Sequence, residues 1–405
     1  MLKISFLGDI MCEGPFLHAA QINNCTYDFS TAFNGIRELL SGSDYVIGNL
    51  ETPLAGKDAG YTRTEDLYSF NTPEEFAKAI KDMGVDLVLT ANNHCCDRGI
   101  EGLIQTLKNL DQCGLQHTGT YKSEEDCGPF YFDIKGITVA VISCTSSTNS
   151  EITKLAPNLK NVNLLDEQSV KVDYSLNNLK RMKHFVAHNI IGIKRYMKIR
   201  KVLGKSPLRP SVDNSLNKDR VDKYISRLEG QIREAKLKAD YILLCPHMGG
   251  QFNTVPGQFS EYVMKKCAET DVDAIICSHP HVIQKFEMIN QKPCFFSLGN
   301  LSMSMGTEYI IRDNLPDYGL IVHFYIDNNS LNRITYSIIK MVEDEKGYLK
   351  VVLASDLYDT ASQKEKNILI QDIKYVKNLL GVKDAGEISQ ISKELDLMLF
   401  TKGEI

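Results

Sequence analysis

Short apolar runs alternate with amphipathic stretches from the start of the chain to Cys144. Apolar runs bounded by polar or glycine residues are typical of strands, whereas apolar residues spaced three or four apart are typical of helices that cover a sheet. Strands that alternate with helices indicate a mostly parallel α/β sheet. The pattern predicts strands at Leu2–Gly8, Asp44–Asn49, Val85–Thr90 and Ile137–Ser143, and helices at Pro73–Met83 and Gly99–Cys113.

The same alternation returns at Asp240–Pro246 and Asp273–Ser278, with a helix predicted at Phe259–Thr270 between them. Three shorter runs follow, PCFFSLGN, GLIVHFYID and RITYSIIKMV, and their pattern is that of antiparallel strands. The chain from Ala361 to Leu399 is predicted to be helical. We therefore expect one α/β domain in two halves, 1–150 and 240–345, separated by a basic helical insertion at 151–239 and followed by a C-terminal helical extension at 346–405.

The predicted insertion contains a strongly basic segment. From Lys171 to Arg209 it carries eleven Lys and Arg residues and one acid, Asp173, although the whole chain has a net charge of −5. Such a run is typical of a solvated helical surface, and the alternative is contact with an anionic polymer or an anionic membrane surface. Within it, NIIGIKRYMKIRKVLG has the pattern of a basic amphipathic helix. A helix of this kind is expected either to lie on a membrane or to cover the active site. Few aromatic residues accompany this helix, so nucleic acid is not an expected partner.

Composition is that of an ordinary soluble protein, with 43% hydrophobic and 24% charged residues. No apolar run reaches the roughly 18 residues of a transmembrane helix, and no secretory leader pattern precedes the first strand. The eleven cysteines include no CxxC spacing, so we expect scattered reduced thiols and not a disulfide framework. We therefore expect a cytoplasmic protein, peripheral to the membrane if the basic segment binds lipid.

Polar side chains stand at the carboxyl ends of five predicted strands. Because the loops after parallel strands meet at one edge of a sheet, we expect these side chains to converge. Carboxylate oxygens, an amide oxygen and imidazole nitrogens form a donor set that suits Mn, Fe, Zn or Mg, and it needs no thiolate. Two such ions hold a phosphate and activate a water for in-line attack. The residues at these strand ends are Asp9, Asn49, Glu51, Asn92, Asn93, His94, His247, His279 and His281.

Each of these residues also has an interpretation without a metal. Asp9 suits a turn or a helix cap, Glu51 suits a surface charge, and His247 suits a buried hydrogen-bonded histidine. Their occurrence together at equivalent strand ends favours a site. The adjacent Cys95 and Cys96 follow His94, but adjacent cysteines do not easily face one metal, and no second cysteine pair completes a structural zinc site.

Six motifs resemble, in order, the signature of the capsule synthesis protein CapA family, within the calcineurin-like metallophosphoesterase superfamily. They are GDIM at 8–11, GNLE at 48–51, NNHCCDRG at 92–99, PHMGG at 246–250, SHPHVIQ at 278–284 and SLGN at 297–300. The family is linked to capsule and poly-γ-glutamate production. The resemblance implies a four-layer αββα metallophosphoesterase-like sandwich with a helical insertion. It also implies a metal-dependent hydrolase that uses one or two divalent ions on a phosphorylated or anionic substrate.

The resemblance also implies a role for each matching residue. Asp9 and His281 would bind a first metal ion, and Glu51 would bridge it to a second. The other ligands of the second ion would be Asn93, His247 and His279.

His94 would then be no ligand, and it would donate a proton to the leaving oxygen or stabilise the transition-state charge, with Asp97 orienting its ring. Two departures from the superfamily pattern leave alternatives open. Met11 stands where the superfamily has a histidine ligand, so one ion instead of two remains an option. Asn49 stands where the superfamily has the bridging aspartate, so either Asn49 or Glu51 takes the bridging position.

Two functions therefore compete. The first is a metal-dependent hydrolase of a phosphoester or a related bond. The second is a non-catalytic accessory or scaffold protein that binds an anionic polymer or a membrane surface, and the basic segment and the missing imidazole at Met11 favour it.

Overall fold

A computed structural model gives the structure of the chain. It describes residues 1–24, 26–63, 66, 68–149, 159–168, 210–307, 309–327, 330–382 and 391–399. The basic segment at 171–209, with its predicted amphipathic helix, lies outside the described residues. The division of the chain at 150, 239 and 345 stays a prediction.

The described residues form eight α-helices and seventeen strands. The helices are α1 (Gly14–Ala19), α2 (Asn34–Ser41), α3 (Glu74–Asp82), α4 (Gly99–Cys113), α5 (Lys218–Lys236), α6 (Gln258–Ala268), α7 (Ala354–Thr360) and α8 (Gln363–Leu379). The strands are β1 (Leu2–Ile10), β2 (Gln21–Asn23), β3 (Thr26–Tyr27), β4 (Tyr45–Leu50), β5 (Leu87–Leu89), β6 (Gln116–Thr118), β7 (Phe130–Ile134), β8 (Ile137–Thr145), β9 (Tyr241–His247), β10 (Ala274–Ile276), β11 (Phe286–Ile289), β12 (Lys292–Phe295), β13 (Asn300–Ser302), β14 (Tyr318–Asp327), β15 (Ser330–Glu343), β16 (Leu349–Leu353) and β17 (Leu395–Leu399).

Two large sheets hold almost all of these strands. The first has the order β16-β15-β14-β1-β4-β5-β6, with β13 also paired to β1 and β17 to β15. The second has the order β11-β12-β10-β9-β8-β7, while β2 and β3 form a separate hairpin. Strands β1, β4, β5 and β6 run parallel to one another, and so do β8, β9, β10 and β12. Both sheets therefore gather strand ends at one edge, where ligands of α/β proteins bind.

Alternation along β1 shows how the layers pack. Ile4 and Phe6 face the core between the two sheets, whereas Leu7 faces a second core that includes residues of α1 to α4. Ile10 faces this second core as well, because the pairing of β1 with β4 shifts between Leu7 and Asp9. A third core joins the second sheet to α5 and α6. Since side chains alternate across a strand, one strand serves two cores. The resulting order of helices, sheet, sheet and helices confirms the predicted αββα sandwich.

Helix α5 lies in the region predicted as an insertion. Its residues Val221, Ile225 and Leu228 are buried against the second sheet, and Asn217 caps its first turn by accepting a hydrogen bond from the Arg220 amide (3.1 Å). The described part of this region thus contributes one of the outer helices of the sandwich.

One prediction of secondary structure was wrong. The helix expected from Ala361 to Leu399 ends at Leu379, and Gly381 follows in the left-handed conformation (φ 77°) that stops a helix. Residues 395–399 then form β17, because LDLML has the two-residue alternation of a strand. Strand β12 pairs antiparallel to β11, as expected, and it also pairs parallel to β10.

Among the helices of the described residues, none combines the length and the hydropathy that a membrane-spanning helix needs.

Candidate metal centre

The predicted site residues converge from both sheets. In the first sheet, Asp9 lies near the end of β1, Glu51 directly follows β4, and Asn93 follows β5. In the second sheet, His247 ends β9, and the turn after β10 carries the remaining two histidines. All of these side chains are buried except that of His279, which is partly buried. The structure therefore brings together Asp9, Glu51, Asn93, His247, His279 and His281.

Two groups of ligand atoms are close enough to hold an ion each. Asp9, Glu51 and His281 form one group, and Glu51, His247 and His279 form the other; within each group the ligand atoms lie within 4.8 Å of one another. Asn93 joins the second group, because its Oδ1 lies 2.7 Å from His247 Nε2 and 3.2 Å from His279 Nδ1. Glu51 is common to both groups, which is the position of a bridging ligand.

Glu51 provides the test of whether a cation fits. Both of its carboxylate oxygens are buried, and neither has a hydrogen-bond partner. The nearest imidazole atoms, His247 Nε2 and His281 Nε2, lie 3.5 and 3.7 Å from Oε1. Burial raises the pKa of this carboxyl to about 8. A buried carboxylate without hydrogen bonds is unfavourable unless a cation neutralises it, so the residues fit a divalent ion.

Asp9 is held in a different way. Burial alone would raise the pKa of its carboxyl, but the hydrogen bond with His281 and the charges of His247 and His281 lower it to about 2. Asn49 donates from Nδ2 to Asp9 Oδ1 (2.7 Å), and the His279 amide donates to Asp9 Oδ2 (3.1 Å). Since the Asn49 amide nitrogen faces Asp9, the geometry favours Glu51 over Asn49 for the bridging position.

Two neighbours orient the imidazoles. Ser278 Oγ lies 2.8 Å from His247 Nδ1, and Asn300 Oδ1 lies 3.0 Å from His281 Nδ1. The Asn300 amide donates to the carbonyls of His281 and Pro316 (2.9 Å each), which fixes its oxygen towards the ring. Each ring therefore directs Nε2 towards Glu51. Neither Ser278 nor Asn300 was predicted to have a role, although they lie inside the motifs SHPHVIQ and SLGN.

The turn that carries the histidines is strained. His279 and His281 have φ values of 105° and 57°, a region that residues with a side chain rarely adopt. Such strain costs on the order of 1–3 kcal/mol for each residue and concentrates at functional sites.

Burial lowers the pKa of His247 to about 3 and that of His279 well below its usual value. Both rings are thus neutral, as a metal ligand must be.

His94 belongs to neither ligand group. Its Nδ1 lies 2.8 Å from Asp97 Oδ2, and the Phe70 amide donates to the same oxygen (2.7 Å). The Phe70 ring packs on the imidazole with centroids 4.5 Å apart. Burial lowers the pKa of His94, but the charge and the hydrogen bond of Asp97, together with the charge of Glu51, raise it more, so the net shift of the pKa is upward. The geometry is suited to a protonated imidazole that Asp97 orients.

Three other residues of the motifs lie in the core. Cys95 and Cys96 are buried with their Sγ atoms 3.7 Å apart, and the hydrogen bond to Cys95 together with burial raises the pKa of the Cys96 thiol well above its usual value. Met11 is fully buried in the core between the first sheet and its helices. The position at which the superfamily has a histidine ligand is therefore a packing position in this chain.

Comparison with known proteins adds independent findings. The family model described as bacterial capsule synthesis protein PGA_cap matches residues 3–304. The capsule biosynthesis protein CapA of Bacillus anthracis is 25% identical over 350 residues, which are 84% of this chain and 71% of that protein. The PGA biosynthesis protein CapA of Bacillus subtilis (strain 168) is 23% identical over 345 residues, 85% of this chain and 72% of that protein.

Solved structures give weaker matches. A putative 5'-nucleotidase from Staphylococcus aureus in complex with alpha-ketoglutarate is 13% identical, with a TM-score of 0.38, and the match covers 92% of this chain and 58% of that one. A hypothetical protein from Thermus thermophilus is 11% identical, with a TM-score of 0.37, and the match covers 87% of this chain and 98% of that one.

Proposed function

Because the chain belongs to the bacterial capsule synthesis protein PGA_cap family, we propose that it is a metal-dependent hydrolase of a phosphoester or a related bond. Its role would be in the production of a capsule, of poly-γ-glutamate or of another cell-surface polymer. The observation that carries this proposal is the environment of Glu51. Its two carboxylate oxygens are buried without hydrogen bonds, and Glu51 belongs to both groups of potential metal ligands.

The ligand sets divide between two ions. Asp9 and His281 would hold one ion, and Glu51 would contact both. The other ion would be held by Asn93, His247 and His279. A divalent cation bound here supplies the Lewis-acid chemistry of phosphoester hydrolysis. Three imidazoles, two carboxylates and an amide oxygen suit Mn, Fe, Zn or Mg.

His94 is the proposed proton donor. Nδ1 of the ring donates a hydrogen bond to Asp97 Oδ2 (2.8 Å), which leaves Nε2 to donate a proton to the leaving oxygen. Because Asp97 raises the pKa of His94, the ring carries that proton at a higher pH than a free histidine does. Asp97 acts here as a positioning residue, since it contacts His94 and the loop at Phe70.

Replacement of His94 tests the catalytic part of the proposal. In Mn-loaded protein, H94Q should lower kcat for phosphoester hydrolysis by about 10²- to 10⁴-fold, the contribution of a positioned acid, with an unchanged metal content per chain. His117 provides a matched control, because its Nε2 also pairs with a carboxylate, Asp111 (3.1 Å), at the far edge of the first sheet. H117Q should retain turnover.

Two measurements would contradict the hydrolase. Elemental analysis that finds no metal after incubation with Mn, Fe, Zn or Mg would remove its basis. If protein fully loaded with metal hydrolyses no phosphomonoester and no phosphodiester, the proposal of a hydrolase fails even though the metal binds.

The charge of the segment at 171–209 favours the accessory role as the second candidate. In that case the basic segment would bind an anionic polymer or an anionic membrane, and neutralising Lys194, Arg195, Lys198, Arg200 and Lys201 together should abolish this binding. Vesicles that contain anionic lipid, and poly-γ-glutamate, are the probes, with neutral vesicles as the control. A variant that keeps hydrolysis and loses binding would show that the two activities are separate.

A further inference from the structure

The chain that follows Glu51 folds back onto the proposed proton donor before it enters α3. We call residues 55–63, 66 and 68–71 of this part of the chain the covering loop. Near its end, the Phe70 amide donates a hydrogen bond to Asp97 Oδ2 (2.7 Å), the oxygen that also accepts from His94 Nδ1 (2.8 Å). The Phe70 ring is 1% exposed and packs on the His94 imidazole. The position of Phe70 therefore affects both the proton donor and the carboxylate that orients it.

Asn71 joins the parts of the covering loop, and this residue is fully buried. Its side-chain oxygen accepts from the Ala55 amide (2.7 Å), and its side-chain nitrogen donates to the carbonyls of Gly56 (2.9 Å) and Gly60 (3.0 Å). Its backbone amide donates to Thr62 Oγ1 (2.7 Å), and its carbonyl accepts from the Thr62 amide (2.9 Å). A primary amide has one oxygen acceptor and two N–H donors. Because all three have partners here, this one side chain fixes the start, the middle and the end of the loop.

A second residue anchors the covering loop to the start of α4. Arg98 donates from Nη1 to the hydroxyl of Ser69 and to the Asp97 carbonyl (3.3 Å). Its Nε and Nη2 groups donate to the Gly60 carbonyl (3.4 Å each). Ser69 directly precedes Phe70 in the chain, so Arg98 holds the loop next to the residue that contacts Asp97.

We propose that Asn71 is a positioning residue of the proposed proton donor, and that it acts through Phe70 and Asp97. With the covering loop held in place, the Asp97 carboxylate keeps one direction, so that the His94 ring presents Nε2 at a fixed position. Loss of this anchor would let Phe70 move, so that Asp97 would lose a hydrogen bond and one face of the imidazole would open to water. A displacement of about 1 Å costs on the order of 100-fold in rate. This inference rests on the proposed function.

Two esters that differ in their leaving group report the position of the proton donor. When the P–O bond breaks, 4-nitrophenolate leaves as a stable anion, whereas the methoxide of methyl phosphate needs a proton from His94 Nε2. The quantity measured is kcat/KM for methyl phosphate divided by kcat/KM for 4-nitrophenyl phosphate, in Mn-loaded protein. A change in metal content or in phosphate binding affects both esters alike and cancels in this ratio. Because H94Q lacks the donor, it sets the largest fall that the ratio can show.

The loop variants should lower this ratio. N71A should lower it by about 10- to 100-fold. R98A removes the second anchor from a partly exposed position, so it should lower the ratio in the same direction and replaces N71A if that variant does not fold. N161A is the matched control, because Asn161 also donates from its side chain to two backbone carbonyls, those of Tyr121 (2.9 Å) and Lys122 (3.2 Å). N161A should keep the wild-type ratio.

NMR of protein labelled with ¹⁵N-histidine tests the same inference without turnover. The Nδ1 proton of His94 is hydrogen-bonded to Asp97 under the Phe70 ring, so it should give a downfield signal that exchanges slowly with water. Its absence from the spectrum of H94Q identifies this signal. N71A should lose the signal through faster exchange, and N161A should keep it.

The outcomes separate this inference from the hydrolase proposal. If wild-type protein hydrolyses both esters and the loop variants keep its ratio, the inference is overturned and the hydrolase stands. If H94Q also keeps the wild-type ratio, His94 is not the proton donor, and the inference fails together with that role. If wild-type protein hydrolyses no phosphoester, the hydrolase proposal fails and the NMR signal decides the inference. A signal that N71A retains, or that wild-type protein lacks, would overturn it.

Discussion

Asn300 determines which nitrogen of His281 is available to an ion. Its Oδ1 lies 3.0 Å from Nδ1 of the imidazole, and its amide group is held by the carbonyls of His281 and Pro316. The amide therefore cannot flip without losing two hydrogen bonds. A neutral imidazole that donates from Nδ1 offers only Nε2 to a metal, so Asn300 sets the tautomer.

Substitution at Asn300 should separate metal affinity from stability. N300L removes the acceptor and should weaken Mn binding by about 10- to 100-fold, the usual effect of losing such a neighbour. N300D keeps an acceptor oxygen but loses the donor to two carbonyls, so it should bind Mn more tightly than N300L does. It should still unfold at lower urea concentration than wild-type protein, because each unpaired carbonyl costs about 1–3 kcal/mol. Calorimetric titration and urea unfolding measure the two effects.

A buried asparagine away from the site is the control. Asn109 donates to the Leu54 carbonyl and to Glu74, so N109L should lower stability and leave Mn affinity intact. Equal Mn affinity in N300L and wild-type protein would show that Asn300 does not orient the ligand.

The site residues differ in how far the sequence could predict them. Asp9, Glu51 and the three histidines follow apolar runs, so strand ends alone bring them to one edge. Ser278 and Asn300 could not be found in this way, because their partners are imidazoles on other segments of the chain. The sequence also could not decide between Asn49 and Glu51, since this choice depends on the direction of the Asn49 amide group in the fold.

At the scale of elements, the parallel pairing of β1 with β13 brings the segment of Asp9 into contact with that of Asn300. A Cβ added at Gly8 would lie 2.1 Å from the Gly299 carbonyl oxygen. The next residues, Asp9 and Asn300, are paired in register across the two strands. Because the backbone fixes the position of the added Cβ and the oxygen that it meets is itself a backbone atom, no side-chain rotation relieves the contact. Any larger residue at position 8 must therefore separate the strands.

Replacement of Gly8 should therefore affect the site and the fold together. G8A should destabilise the protein by about 1–3 kcal/mol or more through overpacking, and it should weaken Mn binding because Asp9 and the support of His281 move apart. The control is Gly230 on the outer helix α5, where a Cβ meets only the end of the Arg233 side chain at 4.0 Å. G230A should raise stability by about 0.5–1 kcal/mol, as alanine favours a helix over glycine. Stability is measured by urea unfolding in the presence of EDTA, and Mn affinity by calorimetric titration. If G8A equals wild-type protein in both quantities, the prediction is contradicted.

Elements could be predicted where the local pattern decides them. Helices α3, α4 and α6 begin and end within about two residues of their expected bounds, the usual spread of helix boundaries. Strand β17 was missed because a short alternating segment near a helix has no local signal of its partner β15. The parallel pairing of β12 depends on its neighbour β10, which is not adjacent in sequence.

At the scale of the whole molecule, His323 should make stability depend on pH. This residue of β14 is fully buried between Ser5 Oγ (2.7 Å) and Ser337 Oγ (3.2 Å). Burial and the nearby charge of Lys3 lower its pKa to about 3, although Glu394 opposes them. The unfolded chain binds that proton near pH 6.5, so the contribution of His323 is complete above about pH 6.5 and is lost as pH falls towards 3.

The variant H323Q should show a weaker acid dependence than wild-type protein. One histidine changes the free energy of unfolding by at most about 1.4 kcal/mol for each pH unit. Urea unfolding at pH 7, 6 and 5, with EDTA present, should give a slope that is smaller in H323Q by about this amount. Parallel curves for the two proteins would mean that His323 is not held neutral in the folded state.

Metal binding should stabilise the whole sandwich, because its ligands come from both sheets. Asp9 and Glu51 belong to the first sheet, and His247 and His281 to the second, so the ligand set exists only when the sheets pack together. A ligand that binds only the folded state at about 100 times its Kd adds about 2.7 kcal/mol. Addition of Mn should accordingly raise the Tm of wild-type protein above its value in EDTA.

E51Q should remove this gain without harming the metal-free fold. In the absence of an ion, burial raises the pKa of Glu51 to about 8, so the folded chain keeps this carboxyl protonated at neutral pH, at a cost that a glutamine amide does not have. E51Q should therefore have a Tm in EDTA at least as high as that of wild-type protein, and Mn should no longer raise it. E13Q alters another fully buried carboxyl and should keep the response to Mn. An equal Mn-dependent rise in E51Q and wild-type protein would place the ion elsewhere, because no other carboxylate belongs to both ligand groups of the described residues.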